Sequence, residues 1–132
     1  LWFDVPEEAR RELRRHGRDL AGALHALEHA AIGVLPLFAM CDRTDIGGVS
    51  SSAHPDTGLP QVFIYDALPG GAGIAEKGFL LLTELWQATL EAIEQCPCTS
   101  GCPSCVQSPK CGNNNEPLDK KGAALVLRHL LR

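Results

Sequence analysis

Between Leu13 and Ile32, apolar residues recur at helical spacing: Leu13, Leu20, Leu24, Leu27 and Ile32, with alanines filling the positions between them. Upstream, Pro6-Glu7-Glu8 is a helix start, because proline suits the first turn and acidic side chains suit the positive end of the helix dipole. The pattern predicts one long helix from Pro6 to about Gly33 or Pro36, charged in its first half and nearly all apolar in its second. Before it, Leu1-Trp2-Phe3 is short, aromatic and stopped by Pro6, which suits an edge strand. After it, Asp45-Ile46-Gly47-Gly48 turns into a predicted strand over 49–54. Pro55-Asp56-Thr57-Gly58 is turn chemistry, and the strand over 61–66 pairs with its predecessor as a hairpin. A second long helix is predicted from Ile74 to about Glu94, with Leu81, Leu85, Leu90 and Ile93 inward. A third opens at Asp119 as N-cap and ends near Arg132. The expected fold class is α+β: mainly helical, with a small antiparallel sheet and a cysteine-rich loop between two helices.

The cysteines change the picture most. Five of the six, Cys96, Cys98, Cys102, Cys105 and Cys111, fall within sixteen residues, and prolines and glycines punctuate the stretch as tight turns. Such short spacings let one loop close around a tetrahedral ion, so a single structural Zn2+ is expected. Local disulfides are the alternative. Five candidates compete for four places: Cys98, Cys102 and Cys105, with Cys111 or Cys96 as the fourth. Cys41 stands alone in an apolar context and reads as a small buried hydrophobe.

With 132 residues, 45% of them hydrophobic, the chain can bury one core and is expected to be one domain. It begins at Leu1, which suggests a piece of something longer. No apolar run is seen to reach the roughly 18 residues of a membrane helix, and a cytoplasmic setting, nucleoid-associated in a bacterium, is expected. The net charge of −4 gives no global attraction to nucleic acid. Two local patches could provide one: Arg10, Arg11, Arg14, Arg15 and Arg18, interleaved with acidic residues, and Lys110, Lys120 and Lys121 with Asn113–Asn115 around the cysteine loop. The arginine run fits a salt-bridged helix face.

Two motifs carry weaker chemistry. His25-Ala26-Leu27-Glu28-His29 fits H-x-x-E-H, in which two histidines hold zinc and the glutamate activates water. A zinc hydrolase is therefore one alternative function. Gly71-Ala72-Gly73 lies between a strand and a helix, but Glu76 stands where a dinucleotide fingerprint has its third glycine. There is no Gly-Lys-Ser/Thr pair for an ATP-binding loop, so no catalytic or nucleotide-binding residue is assigned.

Taken in order, 23–30 (ALHALEHA), 45–48 (DIGG), 65–73 (YDALPGGAG) and 98–113 (CTSGCPSCVQSPKCGN) resemble the MZB domain, the zinc-binding C-terminal module of MrfA-like DNA repair helicases. The resemblance covers roughly residues 1 to 130. It implies a non-catalytic accessory domain behind two ATP-driven motor domains of a RecQ-related superfamily-two helicase. Those motor domains would be its partners, with DNA met through the parent. It also implies that the loop cysteines hold the zinc and that H-x-x-E-H is structural. A protein-binding zinc module without DNA contact is the remaining alternative.

Overall fold

In a computed structural model, which describes residues 1–67, 73–109 and 111–132, three strands and five α-helices follow one another. They are β1 (Trp2–Asp4), α1 (Glu7–Arg15), α2 (Leu20–Val34), β2 (Ile46–Ser51), β3 (Gln61–Asp66), α3 (Ile74–Leu80), α4 (Leu82–Gln95) and α5 (Lys120–Leu130). Short 3-10 turns occupy Leu35–Leu37 and Arg43–Asp45. The α+β class, the antiparallel hairpin and the cysteine loop between two helices are all present.

The sheet is antiparallel in the order β1-β3-β2. Phe3 faces Val62 across one pair, and Val49 faces Phe63 across the other. The second strand starts earlier than expected, at Ile46, and already ends at Ser51.

Each of the two long expected helices is broken once. The first ends at Arg15, because Gly17 adopts φ +65°, a left-handed conformation that glycine enters without penalty. Asp19 then restarts the helix by accepting a hydrogen bond from the Gly22 amide at 3.0 Å. The second breaks at Leu81, with φ −113° and ψ 32°. At the start of α3 the Asp66 carboxylate accepts from the amides of Gly73, Ile74 and Ala75. The chain's own anion thus occupies the helix end that a dinucleotide phosphate would need. Gly71 and Ala72 of that motif lie outside the described residues.

Helix α2 is the centre of the molecule. Twelve of its fifteen residues are buried, and it packs against α4, α5, β2 and β3. A helix apolar on nearly all sides must be enclosed in this way. Together with the following 3-10 turn, Leu20–Leu37 spans 18 residues at a mean hydropathy of 1.4, and 72% of it is buried. This corrects the expectation that no apolar run reaches membrane-spanning length: one does, and the fold uses it as the core helix. Helix α5 approaches α2 at a point where Gly122 faces Ala23; a Cβ on Gly122 would lie 2.9 Å from that of Ala23. The Asp119 amide, next to this crossing, donates to the Gly22 carbonyl at 2.9 Å. The arginine run forms ion pairs on α1, with Arg10 and Arg14 on Glu7 at 2.6 and 3.2 Å and Arg15 on Glu12 at 2.6 Å. Arg18 reaches Asp119 at 3.3 Å.

Candidate metal centre

Helix α4 ends at Gln95 and delivers Cys96 in an extended conformation, φ −73° and ψ 123°. The chain then doubles back. Within the next turn, the amides of Cys105 and Gln107 both donate to the Cys102 carbonyl at 3.1 Å. Four sulfurs meet as a result. Sγ–Sγ separations are 3.6 Å for Cys96–Cys98, 3.4 Å for Cys96–Cys102, 3.5 Å for Cys98–Cys105 and 3.9 Å for Cys102–Cys105. All six cysteines are free, so the local disulfides are not formed. Zinc–thiolate bonds of about 2.3 Å in a tetrahedron put sulfurs about 3.8 Å apart. The cluster has the size that such an ion needs.

Lys120, the first residue of α5, closes the cluster. Its Nζ donates to the carbonyls of Cys96 at 3.0 Å and Cys98 at 2.7 Å, and to Cys98 Sγ at 3.0 Å. This ammonium, helped by the neighbouring thiols, pulls the Cys98 thiol down to about 6. A bond from the Ser104 amide, ahead of the Cys96 thiol, lowers Cys102. Burial pushes Cys105 up to about 12. Four thiols this close cannot all ionise against one another without a cation among them. Zinc ligands must be thiolates, so filling the site releases protons.

The placement of Lys120, expected as a nucleic-acid contact, turns it toward the cysteine loop. It is only 8% exposed and its charge is spent on the cysteine loop. Lys121 next to it is exposed, and Lys110 lies outside the described residues. The asparagines serve the loop: Asn114 and Asn115 take φ +55° and +58°, and Asn115 Oδ1 accepts from the Ser108 amide at 2.6 Å.

Cys111 is also relocated. It does not join the other four sulfurs but groups with His25 and His29, with ligand atoms all within 4.8 Å of one another. The physical reason is the intervening segment. Val106 is fully buried and its carbonyl accepts from His29 Nδ1 at 2.8 Å, which ties the loop down onto α2 before Cys111 is reached. Further along, the Pro117 carbonyl accepts from His25 Nδ1 at 2.8 Å. His25, Glu28 and His29 are all buried beneath this loop and β2. Burial drives the Glu28 carboxyl up to about 7, partly offset by the Ser50 hydroxyl. Burial also lowers His29, partly offset by the Val106 carbonyl. The surplus of one cysteine over four places, beside two histidines four residues apart on one helix, was the signal for this second group.

The chain matches the MrfA Zn-binding domain family (MZB) over residues 27–106. The chain belongs to that family. Among relatives, the ATP-dependent helicase HRQ1 of Saccharomyces cerevisiae is 31% identical over 141 residues, which cover 99% of this chain and 13% of that protein. The uncharacterized protein MJ1572.1 of Methanocaldococcus jannaschii is 39% identical over 113 residues, 82% of this chain and 99% of that protein. Among solved structures, the DUF1998 helicase MrfA bound to DNA superposes with a TM-score of 0.70 at 31% identity, over 96% of this chain and 15% of that one. This MZB domain thus spans about an eighth to a seventh of the helicases it resembles. The zinc in the family's name fits the sulfurs of Cys96, Cys98, Cys102 and Cys105, and this cluster accounts for one structural zinc ion.

Proposed function

We propose that residues 1–132 form a single, non-catalytic accessory domain of an ATP-dependent DNA helicase, holding its zinc through Cys96, Cys98, Cys102 and Cys105. The observation that carries this reading is the four-sulfur cluster at tetrahedral spacing in an MZB chain whose structural neighbour is a helicase bound to DNA. The site is closed, since four thiolates fill a tetrahedral ion and leave no position for substrate.

The role follows from what the cluster joins. It fixes the end of α4 to the start of α5, with Lys120 bonded to both Cys96 and Cys98. A rigid platform of this kind supports unwinding, and through it DNA repair, by buttressing the motor domains of the same chain. Leu37, Phe79 and Leu80 are 80%, 60% and 69% exposed, apolar side chains that a motor-domain contact would cover. With a net charge of −4 and Lys120 withdrawn, DNA is met chiefly through the parent.

The test compares the full-length parent helicase with its Cys98→Ser/Cys102→Ser variant. ATPase and duplex unwinding are measured on both. Unwinding should fall while ATP-binding motifs stay intact. Unwinding at the wild-type rate in a variant that has lost the cluster zinc would remove the accessory role. Tight binding of DNA by the isolated chain would replace it with a DNA-reading module.

A further inference from the structure

Outside the four-cysteine cluster, the most unusual feature of the molecule is a buried face of α2 that carries His25, Glu28 and His29. We propose that His25, His29 and Cys111 form a second site for a zinc-class divalent ion, with three protein ligands and one exchangeable position. This does not depend on the helicase reading.

The orientation of the rings is the first argument. Residues four apart on a helix share one face. Both histidines donate Nδ1–H to backbone carbonyls, those of Pro117 and Val106, each at 2.8 Å. That leaves Nε2 as the lone-pair nitrogen on each ring. Metal-binding histidines are held in this way, one nitrogen fixed by a carbonyl so that the other faces the ion.

Distance is the second argument. Cys111 Sγ lies 3.5 Å from His25 Nε2. Zinc–nitrogen and zinc–sulfur bonds of about 2.05 and 2.3 Å in a tetrahedron place those atoms about 3.5 Å apart. The ring centroids of His25 and His29 are 4.2 Å apart. Two imidazoles and a thiol form a borderline-soft donor set, which suits zinc over magnesium or calcium.

The third argument concerns the fourth position. This group offers three protein ligands where the cysteine cluster offers four, and it borders a cavity of about 470 Å3, which Glu28, Gly48, Ser50 and Tyr65 also line. Structural zinc sites are closed by four protein ligands, whereas three ligands facing a cavity leave room for water or a small anion. Glu28 stands on the same helix face, where its carboxyl can hydrogen-bond a water on the ion.

The site also differs from the H-x-x-E-H protease arrangement. Its third ligand is a thiolate from the loop after the cysteine cluster, so the ion would tie that loop to the core helix.

Metal content tests this directly. The purified protein should carry two zinc ions per chain. Cys111→Ser and His25→Gln should each retain one, and Cys102→Ser should lose the other. In wild-type protein, which avoids any folding defect of a variant, a second equivalent of zinc should slow alkylation of Cys111 on the order of ten-fold while Cys41 is unaffected. Azide should perturb the visible spectrum of the cobalt-substituted wild type and leave cobalt-loaded Cys111→Ser unchanged. One zinc per chain, with Cys111 alkylated at the same rate in its presence, would overturn the site. Two zinc ions without an azide response would overturn its exchangeable position.

Discussion

Lys120 shows how a single charged residue can be read two ways from sequence. Beside Lys121 in a loop-to-helix junction, it looks like a phosphate contact. In the fold its ammonium lies on two carbonyls and a sulfur of the cysteine loop. Four thiolates and one zinc ion sum to −2, and a lysine at 3.0 Å offsets part of that charge. Groups that support a metal ligand in this way are worth about 10- to 100-fold in metal affinity. Lys120→Met should therefore lower zinc affinity within that range, read by competition with a chromophoric chelator. An unchanged affinity would mean that the ammonium only packs. Cys111 carries the companion lesson. Spacing states which sulfurs can share an ion, and all five of Cys96, Cys98, Cys102, Cys105 and Cys111 could. The choice was made by Val106 and Pro117, whose carbonyls fasten the loop to His29 and His25. Those are long-range contacts that no local pattern displays.

At the scale of elements, hydrophobic periodicity located the helices but not their breaks. The first break had a local signature, a glycine at 17 followed by an N-capping aspartate at 19, which the continuing leucine spacing masked. The second, at Leu81, sits in a run of leucines with no stop signal; nothing local to the sequence accounts for it. The strands were legible because alternation and turn residues agree; β1 shifted by one residue, to Trp2–Asp4, and the ends of β2 shifted more. The crossing of α2 with α5 depends on a contact that periodicity does not report. At Gly122 an alanine would gain roughly 1 kcal/mol of helix propensity. Its Cβ would also meet the Ala23 Cβ at 2.9 Å, an atom fixed to the backbone of the core helix. Overpacking of that kind costs about 1–3 kcal/mol and exceeds the gain. Gly122→Ala should lower unfolding free energy by about 1 kcal/mol, seen as a lower urea midpoint at unchanged slope. A raised midpoint would show that the two helices can part without cost.

For the whole molecule, the question is how much of the fold rests on the metal. A small zinc finger has almost no core and unfolds when its ion is removed. Here Leu13, Leu24, Leu27, Ile46, Val62, Leu85 and Leu127 are fully buried with α2 at their centre, and none lies in the cysteine loop. Among the described residues the loop contributes Cys105 and Val106 to that core, with Cys96, Cys98 and Cys102 packed against it. What the cluster adds is the junction between α4 and α5, which is otherwise held by packing and by Arg128 on Glu94 at 2.6 Å, an exposed pair of small value. Removing the zinc with a strong chelator should therefore leave most of the helical circular dichroism in place and lower the melting temperature. Hydrogen exchange should quicken first in residues 96–118 and the opening turn of α5, while amides of α2 remain protected until global unfolding. The order of loss is the discriminating observation. If α2 exchanges as fast as the loop once the metal is gone, the apolar core does not stand by itself and the zinc is a condition for folding. If the loop keeps its protection, the four sulfurs do not hold the metal that the domain carries.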